Sequence, residues 1–159
     1  FGLYQKYYNS NSRLILVGNE GGYETYMLKM QKYAQLNCIK NVIFTGHIRF
    51  AEILACYKAA DLFLCMSEHE GFCVPLVEAM YFKIPVVAYN SSAVGETLGK
   101  GGILLNEKNA LETAALMDKI LKDKGLQKKI IANQNERLDD FAHDKILARF
   151  NELLRENVL

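Results

Sequence analysis

The stretch "DLFLCMSEHEGFCVPLVEAMYFKIPVVAY", residues 61 to 89, contains two short apolar runs on either side of a loop and a helix. The runs "LFLCM" and "IPVVAY" lack alternating polar positions, which is typical of strands buried on both faces of a sheet. Pro75 suits the first turn of the intervening helix, because its missing N–H costs nothing there. A strand, a helix and a second strand in this order predict a parallel sheet.

The same alternation continues on both sides of this stretch. "RLILVG" and "NVIFTG" are apolar runs that end in glycine, and "YETYMLKMQKYAQLN" and "FAEILACYKAA" follow them as helices. The run "RLILVG" is typical of a strand buried on both faces. Within the first of these helices Tyr23, Met27, Met30 and Ala34 recur at helical spacing. After "SSAVGETLG", a turn and short helix, "GILL" supplies a further strand. We therefore predict an α/β fold, a Rossmann-like parallel sheet with helices on both faces.

The last third of the chain is predicted to be helical. Asn109 and Glu112 form a capping pattern at the start of "NALETAALMDKILKDKG", and lysines with Gly125 are expected to close that helix. Two more helices are predicted, over residues 126–140 and 143–157.

The composition fits one domain over residues 1–159. Half of the 159 residues are hydrophobic, which is enough for one core and too little for two ordinary domains. The 19 basic and 18 acidic side chains nearly cancel, so no basic surface indicates a nucleic acid as partner.

The four cysteines, at positions 38, 56, 65 and 73, include no C-x-x-C pair and no spacing typical of zinc ligands. No window approaches the roughly 20 continuous apolar residues of a membrane span. We expect a cytoplasmic protein with reduced thiols.

A ligand site is predicted where the third strand runs into its helix. In open parallel sheets ligands bind beyond the carboxyl ends of the strands, so the loops after "LILVG", "VIFTG" and "LFLCM" are expected to share one rim. Gly71 lets the backbone approach a ligand, and the N–H groups of Phe72, Cys73 and Val74 would point out of the helix start, an arrangement that suits a phosphate.

Two glutamates flank these donors. Glu70 precedes them, and Glu78 lies about one turn inside the helix. Carboxylates are good acceptors for sugar hydroxyls, so a nucleotide sugar, with a ring on each side of a diphosphate, would satisfy all three groups. Each glutamate taken alone is equally well explained as a charge at a helix terminus.

The region "SEHEGFCVPLVEAMYFKIPVVAYNSSAVGETLGKGGILLNEKNA" resembles the signature region of the family 4 retaining glycosyltransferases, with its Glu-x7-Glu motif followed by a Pro-Val-Val strand. The likeness extends over essentially the whole chain. It implies the C-terminal half of a GT-B architecture, the domain that binds the nucleotide-sugar donor. The resemblance also implies that the chain lacks the domain's first strand, part of its first helix and the acceptor-binding N-terminal domain.

The resemblance assigns roles to the residues of the motif. Glu70 would contact hydroxyls of the transferred sugar and is the catalytic candidate, and Glu78 would hold the ribose. Gly71, Phe72 and Cys73 would approach the diphosphate and the sugar.

Further contacts are expected from neighbouring loops. His47 and Ile48, after the second strand, would border the base. Gly18, Ser67 and His69 are further candidates for contacts with the base or with the loops.

Two departures from the family pattern bear on these roles. An arginine and a lysine that neutralise the diphosphate in the family would lie before the start of this chain, so we expect the 159 residues alone not to turn over. Ser92 and Ala93 replace the Gly-Gly that many members place ahead of the later glutamate, here Glu96.

For the intact enzyme the resemblance implies transfer of a hexosyl group to an acceptor hydroxyl with retention, in the synthesis of a polysaccharide, lipopolysaccharide or glycolipid. A helix N-terminus can stabilise the departing diphosphate without a metal ion, so we expect no metal and no cofactor. The partners expected are the nucleotide-diphosphate sugar and the N-terminal domain, and peripheral association of the intact enzyme with the cytoplasmic face of the membrane is left open.

Two other functions compete with this one. A flavodoxin-like or receiver-like module would bind a nucleotide or a partner without transferring sugar, but the acidic pattern of a receiver is not matched. A GT-B sugar-nucleotide epimerase would need catalytic acids largely outside this chain.

Overall fold

The computed structural model describes residues 1–18, 21 and 24–157. The chain divides into two compact units. Unit 1 comprises Phe1–Ala60 and Lys108–Lys122, and unit 2 comprises Asp61–Glu107 and Asp123–Leu159. The assignment of residues 1–159 to one nucleotide-sugar binding domain stays a prediction.

Short strands alternate with helices along the described chain, as predicted. In chain order the elements are α1 (Gly2–Tyr7), β1 (Leu14–Leu16), α2 (Glu24–Leu36), β2 (Val42–Phe44), α3 (Phe50–Ala59), β3 (Phe63–Cys65), α4 (Val74–Tyr81), β4 (Val86–Tyr89), α5 (Val94–Leu98), β5 (Ile103–Leu105), α6 (Ala110–Lys122), α7 (Lys124–Asp139) and α8 (His143–Asn157). All strand pairings within these elements are parallel. The α/β class predicted from the sequence is confirmed.

In unit 1 the strands β1 and β2 form a two-stranded parallel sheet in which Leu14 pairs with Val42 and Leu16 with Phe44. The expectation that β1 is buried on both faces is wrong for this unit, since Ile15 is 38% exposed and Leu16 is 41% exposed. Helix α1 packs against α6 in this unit.

Helix α2 has the amphipathic face that its spacing predicts. Met27, Met30 and Ala34 are half-buried, while Tyr26 and Leu28 are exposed. Tyr23, the first residue of the predicted apolar face, lies outside the described residues.

In unit 2 a three-stranded parallel sheet has the order β3-β4-β5, with β4 in the middle. Residues 86–88 of β4 have no exposed surface, which confirms a strand buried on both faces. Leu76 and Met80 of α4 and Leu98 of α5 are also fully buried, and both helices contact β4. The core of unit 2 therefore lies directly beneath the predicted ligand loop.

Helix caps match the sequence at one end of α6 and differ at the other. The side chain of Asn109 accepts from the backbone N–H of Glu112 and donates to its carboxylate, as predicted. The prediction that Gly125 closes this helix is wrong, because α6 ends at Lys122 and Gly125 lies in the first turn of α7. Asp123 decides the boundary, since its carboxylate caps α7 by accepting from Leu126 N–H at 2.9 Å.

Helix α8 begins at His143, as expected for a helix-start residue. Among the described helices, none has both the length and the apolar character needed to span a membrane.

Candidate functional site

The β3–α4 loop, residues 66–73, and the β4–α5 loop, residues 90–93, are neighbours in unit 2. Strands β3 and β4 pair in parallel, with Cys65 opposite Ala88, so both loops leave the sheet at the carboxyl ends of adjacent strands. This is the position at which open α/β sheets bind ligands.

Two serines of the β4–α5 loop hold the β3–α4 loop. Ser91 Oγ donates to the carbonyl of Ser67 at 2.6 Å. The backbone N–H of Glu70 donates to Ser92 Oγ at 2.8 Å. Ser92 has a φ of +39°, a left-handed value in the place where the family pattern has glycine. The serine thus keeps the glycine-like backbone and adds a hydroxyl that fixes the main chain of Glu70.

The end of the β3–α4 loop is held by α5 and by Phe141, which lies between α7 and α8. Thr97, which is 3% exposed, donates through Oγ1 to the carbonyl of Phe72 at 2.6 Å. The ring of Phe72 packs edge-on against Phe141, with centroids 5.7 Å apart. These contacts fix the backbone of Phe72 and leave its side chain 46% exposed.

Arg137 connects α7 to the carboxyl end of α5. Its guanidinium donates to the carbonyls of Thr97 at 3.1 Å and Glu96 at 2.7 Å, and it pairs with Asp140 at 2.7 Å. The guanidinium also lies 4.6 Å from the ring centroid of Phe141. Because both carbonyls belong to the exposed end of a helix, the cation satisfies acceptors that have no partner within α5.

Helix α4 begins where the sequence predicts. Pro75 lies in its first turn, and Cys73 is the N-cap residue in the left-handed conformation, with φ +65° and ψ +62°. Leu76 N–H donates to the carbonyl of Cys73 at 3.0 Å. In the described part of the chain no hydrogen bond takes the N–H of Phe72, Cys73 or Val74. Three backbone donors therefore remain available for an anion.

Two buried thiols lie beneath these donors. The sulfur atoms of Cys65 and Cys73 are 3.8 Å apart, and both residues are buried. Burial, followed by the neighbouring Cys65 thiol and the charge of Glu70, raises the pKa of Cys73 to about 12. Cys73 therefore stays protonated at neutral pH, which does not suit a nucleophile.

The motif residues of the sequence analysis lie together in unit 2. Glu70 is half-buried in the β3–α4 loop, and Glu78 is half-buried at the fifth position of α4. Gly71 is exposed, and a Cβ added there would meet nothing within 4 Å. Of the other candidates in this loop, Ser67 is half-buried and His69 is exposed. Their roles toward a ligand stay predictions.

The remaining candidates lie in unit 1. Gly18 forms an antiparallel bridge with Gly46, His47 is exposed and Ile48 is half-buried. Their convergence with the β3–α4 loop stays a prediction.

Four residues that support the site were not predicted from the sequence. Ser91, Ser92 and Thr97 hold the β3–α4 loop, and Arg137 holds the end of α5. Ser91 and Ser92 could have been found, because they follow the strand that neighbours β3 in a parallel sheet. Arg137 is 40 positions from Thr97 in the chain, and no local pattern connects the two.

Parallel strands, crossover helices and open donors at a helix start define a Rossmann-like α/β protein with a site suited to phosphate. Residues 3–137 match the family model described as "Glycosyl transferases group 1". The chain belongs to this family, which confirms the resemblance and favours it over a flavodoxin-like module.

Several relatives of the chain are named as mannosyltransferases. The chain is 28% identical over 92 residues to the serotype-specific mannosyltransferase WbdA of Escherichia coli, covering 58% of this chain and 11% of the relative. It is 33% identical over 70 residues to a GDP-mannose-dependent alpha-mannosyltransferase of Mycolicibacterium smegmatis, covering 43% of this chain and 19% of the relative. The chain thus spans less than a quarter of the length of either relative.

Solved structures agree with the assignment of the chain to this family. Alr3699/HepE of Anabaena in complex with UDP superimposes with a TM-score of 0.81 and 25% identity over 98% of this chain and 43% of that one. The C-terminal domain of the group 1 glycosyl transferase LpcC from Francisella tularensis gives a TM-score of 0.70 and 28% identity over 87% of this chain and 73% of that one.

Proposed function

We propose that the chain binds the nucleotide-diphosphate sugar of a retaining glycosyltransferase, and that the intact enzyme transfers a hexosyl group from it to an acceptor hydroxyl. The observation that carries this proposal is the start of α4, where the N–H groups of Phe72, Cys73 and Val74 make no hydrogen bond within the described chain. Glu70 lies beside them with its backbone held by Ser92.

The diphosphate binds at the three N–H groups. Amides at a helix N-terminus combine directed donors with the positive end of the helix dipole, so an anion gains from both. Gly71 supports this role, because open space surrounds its Cα and a ligand can approach the main chain closely.

The two carboxylates bind the rings on either side of the diphosphate. Glu70, before the amides, accepts from hydroxyls of the transferred sugar and orients it. Glu78, inside α4, accepts from the ribose hydroxyls. A hydrogen bond to a charged acceptor stabilises a complex by roughly 1.5–3 kcal/mol, so each carboxylate contributes measurably to affinity.

These N–H groups contribute to catalysis by stabilising the leaving group. As the bond between the sugar and the diphosphate breaks, negative charge grows on the diphosphate, and preorganised N–H donors stabilise that charge. Glu70 N–H donates to Ser92 Oγ, and Thr97 Oγ1 donates to the carbonyl of Phe72. These two hydrogen bonds keep the N–H groups in place before the sugar nucleotide arrives.

Names of relatives and neighbours support a sugar nucleotide as the ligand. Solved structures of Anabaena Alr3699/HepE contain UDP, UDP-glucose, or UDP with glucose, and the M. smegmatis relative is named as dependent on GDP-mannose. UDP-glucose and GDP-mannose are therefore the first two ligands to test.

Isothermal titration calorimetry on the 159-residue chain tests the proposal. UDP, GDP, UDP-glucose and GDP-mannose are titrated into the wild type and into Glu70→Gln, Glu78→Gln and Glu136→Gln. Glu136, exposed on α7 of the same unit, is the control for loss of one negative charge.

The two motif variants are expected to behave differently. Glu78→Gln weakens the nucleoside diphosphate and its sugar conjugate alike, by about tenfold or more, because the ribose is common to both. Glu70→Gln weakens only the sugar conjugate. Equal losses in Glu136→Gln, or no binding of any diphosphate by the wild type, would contradict the proposal.

A further inference from the structure

Three side chains with atoms that can bind a metal ion lie close together at the start of α4. The proposed function does not require all three. Cys65 ends β3, Cys73 caps α4, and Glu70 lies in the loop between them. One ligand atom from each side chain, two sulfurs and a carboxylate oxygen, lies within 4.8 Å of the other two. Both cysteines are less than 8% exposed.

The separation of the two sulfurs fits a shared metal ion. Two thiolates on one tetrahedral Zn²⁺, each about 2.3 Å from the ion, are about 3.8 Å apart. The sulfurs of Cys65 and Cys73 are 3.8 Å apart without any adjustment. A disulfide would require the same sulfurs to move roughly 1.8 Å closer.

The chemistry of the three ligand atoms determines which metal ions they favour. Two sulfurs and one carboxylate favour a thiophilic divalent ion and disfavour Mg²⁺ or Ca²⁺, which take oxygen ligands. Three protein ligands leave one tetrahedral position for water or another small ligand. Glu70 is half-buried, so solvent reaches the group from the side of this carboxylate.

We propose that Cys65, Glu70 and Cys73 bind a thiophilic divalent cation of the Zn²⁺ type, and that this ion competes with the sugar nucleotide for the carboxylate of Glu70. Binding replaces the two thiol protons with the ion. The ion site stands on the geometry of the three side chains, whereas the competition rests on the proposed role of Glu70.

The first experiment measures the ion site without any nucleotide. Cd²⁺ is titrated into the reduced 159-residue chain, and the ultraviolet charge-transfer absorption of cadmium thiolates is followed. The band is expected to saturate at about one equivalent. A chromophoric zinc chelator then gives the Zn²⁺ affinity by competition.

Matched variants locate the site. Cys65→Ser and Cys73→Gly are expected to lose the band, and Glu70→Gln to weaken binding by about tenfold. Glycine suits the left-handed backbone of Cys73, so this variant is expected to fold, which circular dichroism checks. The control is the double variant Cys38→Ser/Cys56→Ser, whose cysteines lie in unit 1 and whose band is expected to match the wild type.

The outcomes are separable. No band at one equivalent, or a band that disappears in the Cys38→Ser/Cys56→Ser variant, overturns the ion site whatever the chain does with nucleotides. If the ion site is present, Zn²⁺ but not Mg²⁺ raises the Kd of the bound nucleotide sugar at least about fivefold in the wild type and not in Cys65→Ser. An unchanged Kd of the nucleotide sugar in saturating Zn²⁺ overturns the competition. A wild type that binds Cd²⁺ but no nucleotide overturns the proposed function and, with it, the competition.

Discussion

The backbone N–H of Glu70 donates to the side chain of Ser92, 22 positions later in the chain, at 2.8 Å. This bond joins the two loops at the carboxyl ends of β3 and β4. It holds the main chain of the residue that is expected to contact the sugar, and it comes from a position where the family pattern has a glycine. We therefore expect this residue of the β4–α5 loop to influence sugar-nucleotide binding through the position of Glu70.

Removal of the Ser92 hydroxyl is expected to weaken sugar-nucleotide binding. A neutral hydrogen bond contributes about 0.5–1.5 kcal/mol, so Ser92→Gly should raise the Kd by about two- to tenfold. Glycine keeps the positive φ of this position, so the loss reports the hydroxyl and not backbone strain. Titration calorimetry measures the affinity, with Ser10→Ala, on the exposed surface of unit 1, as control. An unchanged Kd in Ser92→Gly would show that the bond does not position Glu70.

Gly71 and Gly102 are expected to respond to alanine in opposite ways. A Cβ at Gly71 meets nothing within 4 Å, whereas a Cβ at Gly102 would lie 2.7 Å from the carbonyl oxygen of Val86. Gly102→Ala should lower the free energy of unfolding by roughly 1–3 kcal/mol. Gly71→Ala should change it by less than about 0.5 kcal/mol yet weaken nucleotide-sugar binding about tenfold, because the added methyl occupies the space in which the ligand approaches.

Chemical denaturation and calorimetry on the two glycine variants separate these effects. Full affinity in Gly71→Ala would exclude a close approach of the ligand to this part of the backbone. Wild-type stability in Gly102→Ala would show that β4 and β5 can separate without cost.

The sequence was sufficient to predict the order of strands and helices, because each strand of unit 2 is a continuous apolar run between turn residues. Burial was predicted correctly for residues 86–88, which belong to a central strand, and wrongly for Ile15, which belongs to a sheet of two strands. The pattern of apolar residues was the same in both cases. What differed was the number of neighbouring elements, which local periodicity does not encode.

The candidate site was predictable to the same extent. Glu70, Gly71 and Glu78 could be placed around a helix start from Pro75 and the spacing of the acids. The side chains that hold this loop come from positions that are distant in sequence, such as Thr97 and Phe141. The proximity of Cys65 to Cys73 likewise depends on the turn between a strand and its helix. Their separation of eight positions in the sequence is not a spacing typical of zinc ligands.

Arg137 is expected to be important for the stability of unit 2. Arg137→Ala removes the donors to the carbonyls of Thr97 and Glu96 and the stacking on Phe141, so the free energy of unfolding should fall by roughly 2–3 kcal/mol. Arg137→Lys should recover only part of this, because an ammonium cannot reproduce the planar fork that reaches both carbonyls. Arg149→Ala, at an exposed position of α8, is the control. A wild-type free energy of unfolding in Arg137→Lys would contradict the importance of the planar guanidinium.

Cys73 is expected to make folding less favourable at alkaline pH. The pKa of its thiol is raised by burial from 9.0 to about 12 in the folded chain, so the unfolded chain loses this proton first as the pH rises. The stabilising effect of the buried neutral thiol is therefore fully present below pH 9 and is lost progressively between pH 9 and 12.

The variant Cys73→Gly tests this effect. Its backbone suits the left-handed conformation of this position, and it retains Cys65 and Glu70, which also raise the pKa of Cys73. Urea unfolding at pH 7.5, 9 and 10.5 should show the wild type losing more stability than Cys73→Gly between the last two values, since the other titrating groups are common to both proteins. Parallel pH profiles of the two proteins would show that the Cys73 thiol is not the group that couples folding to pH.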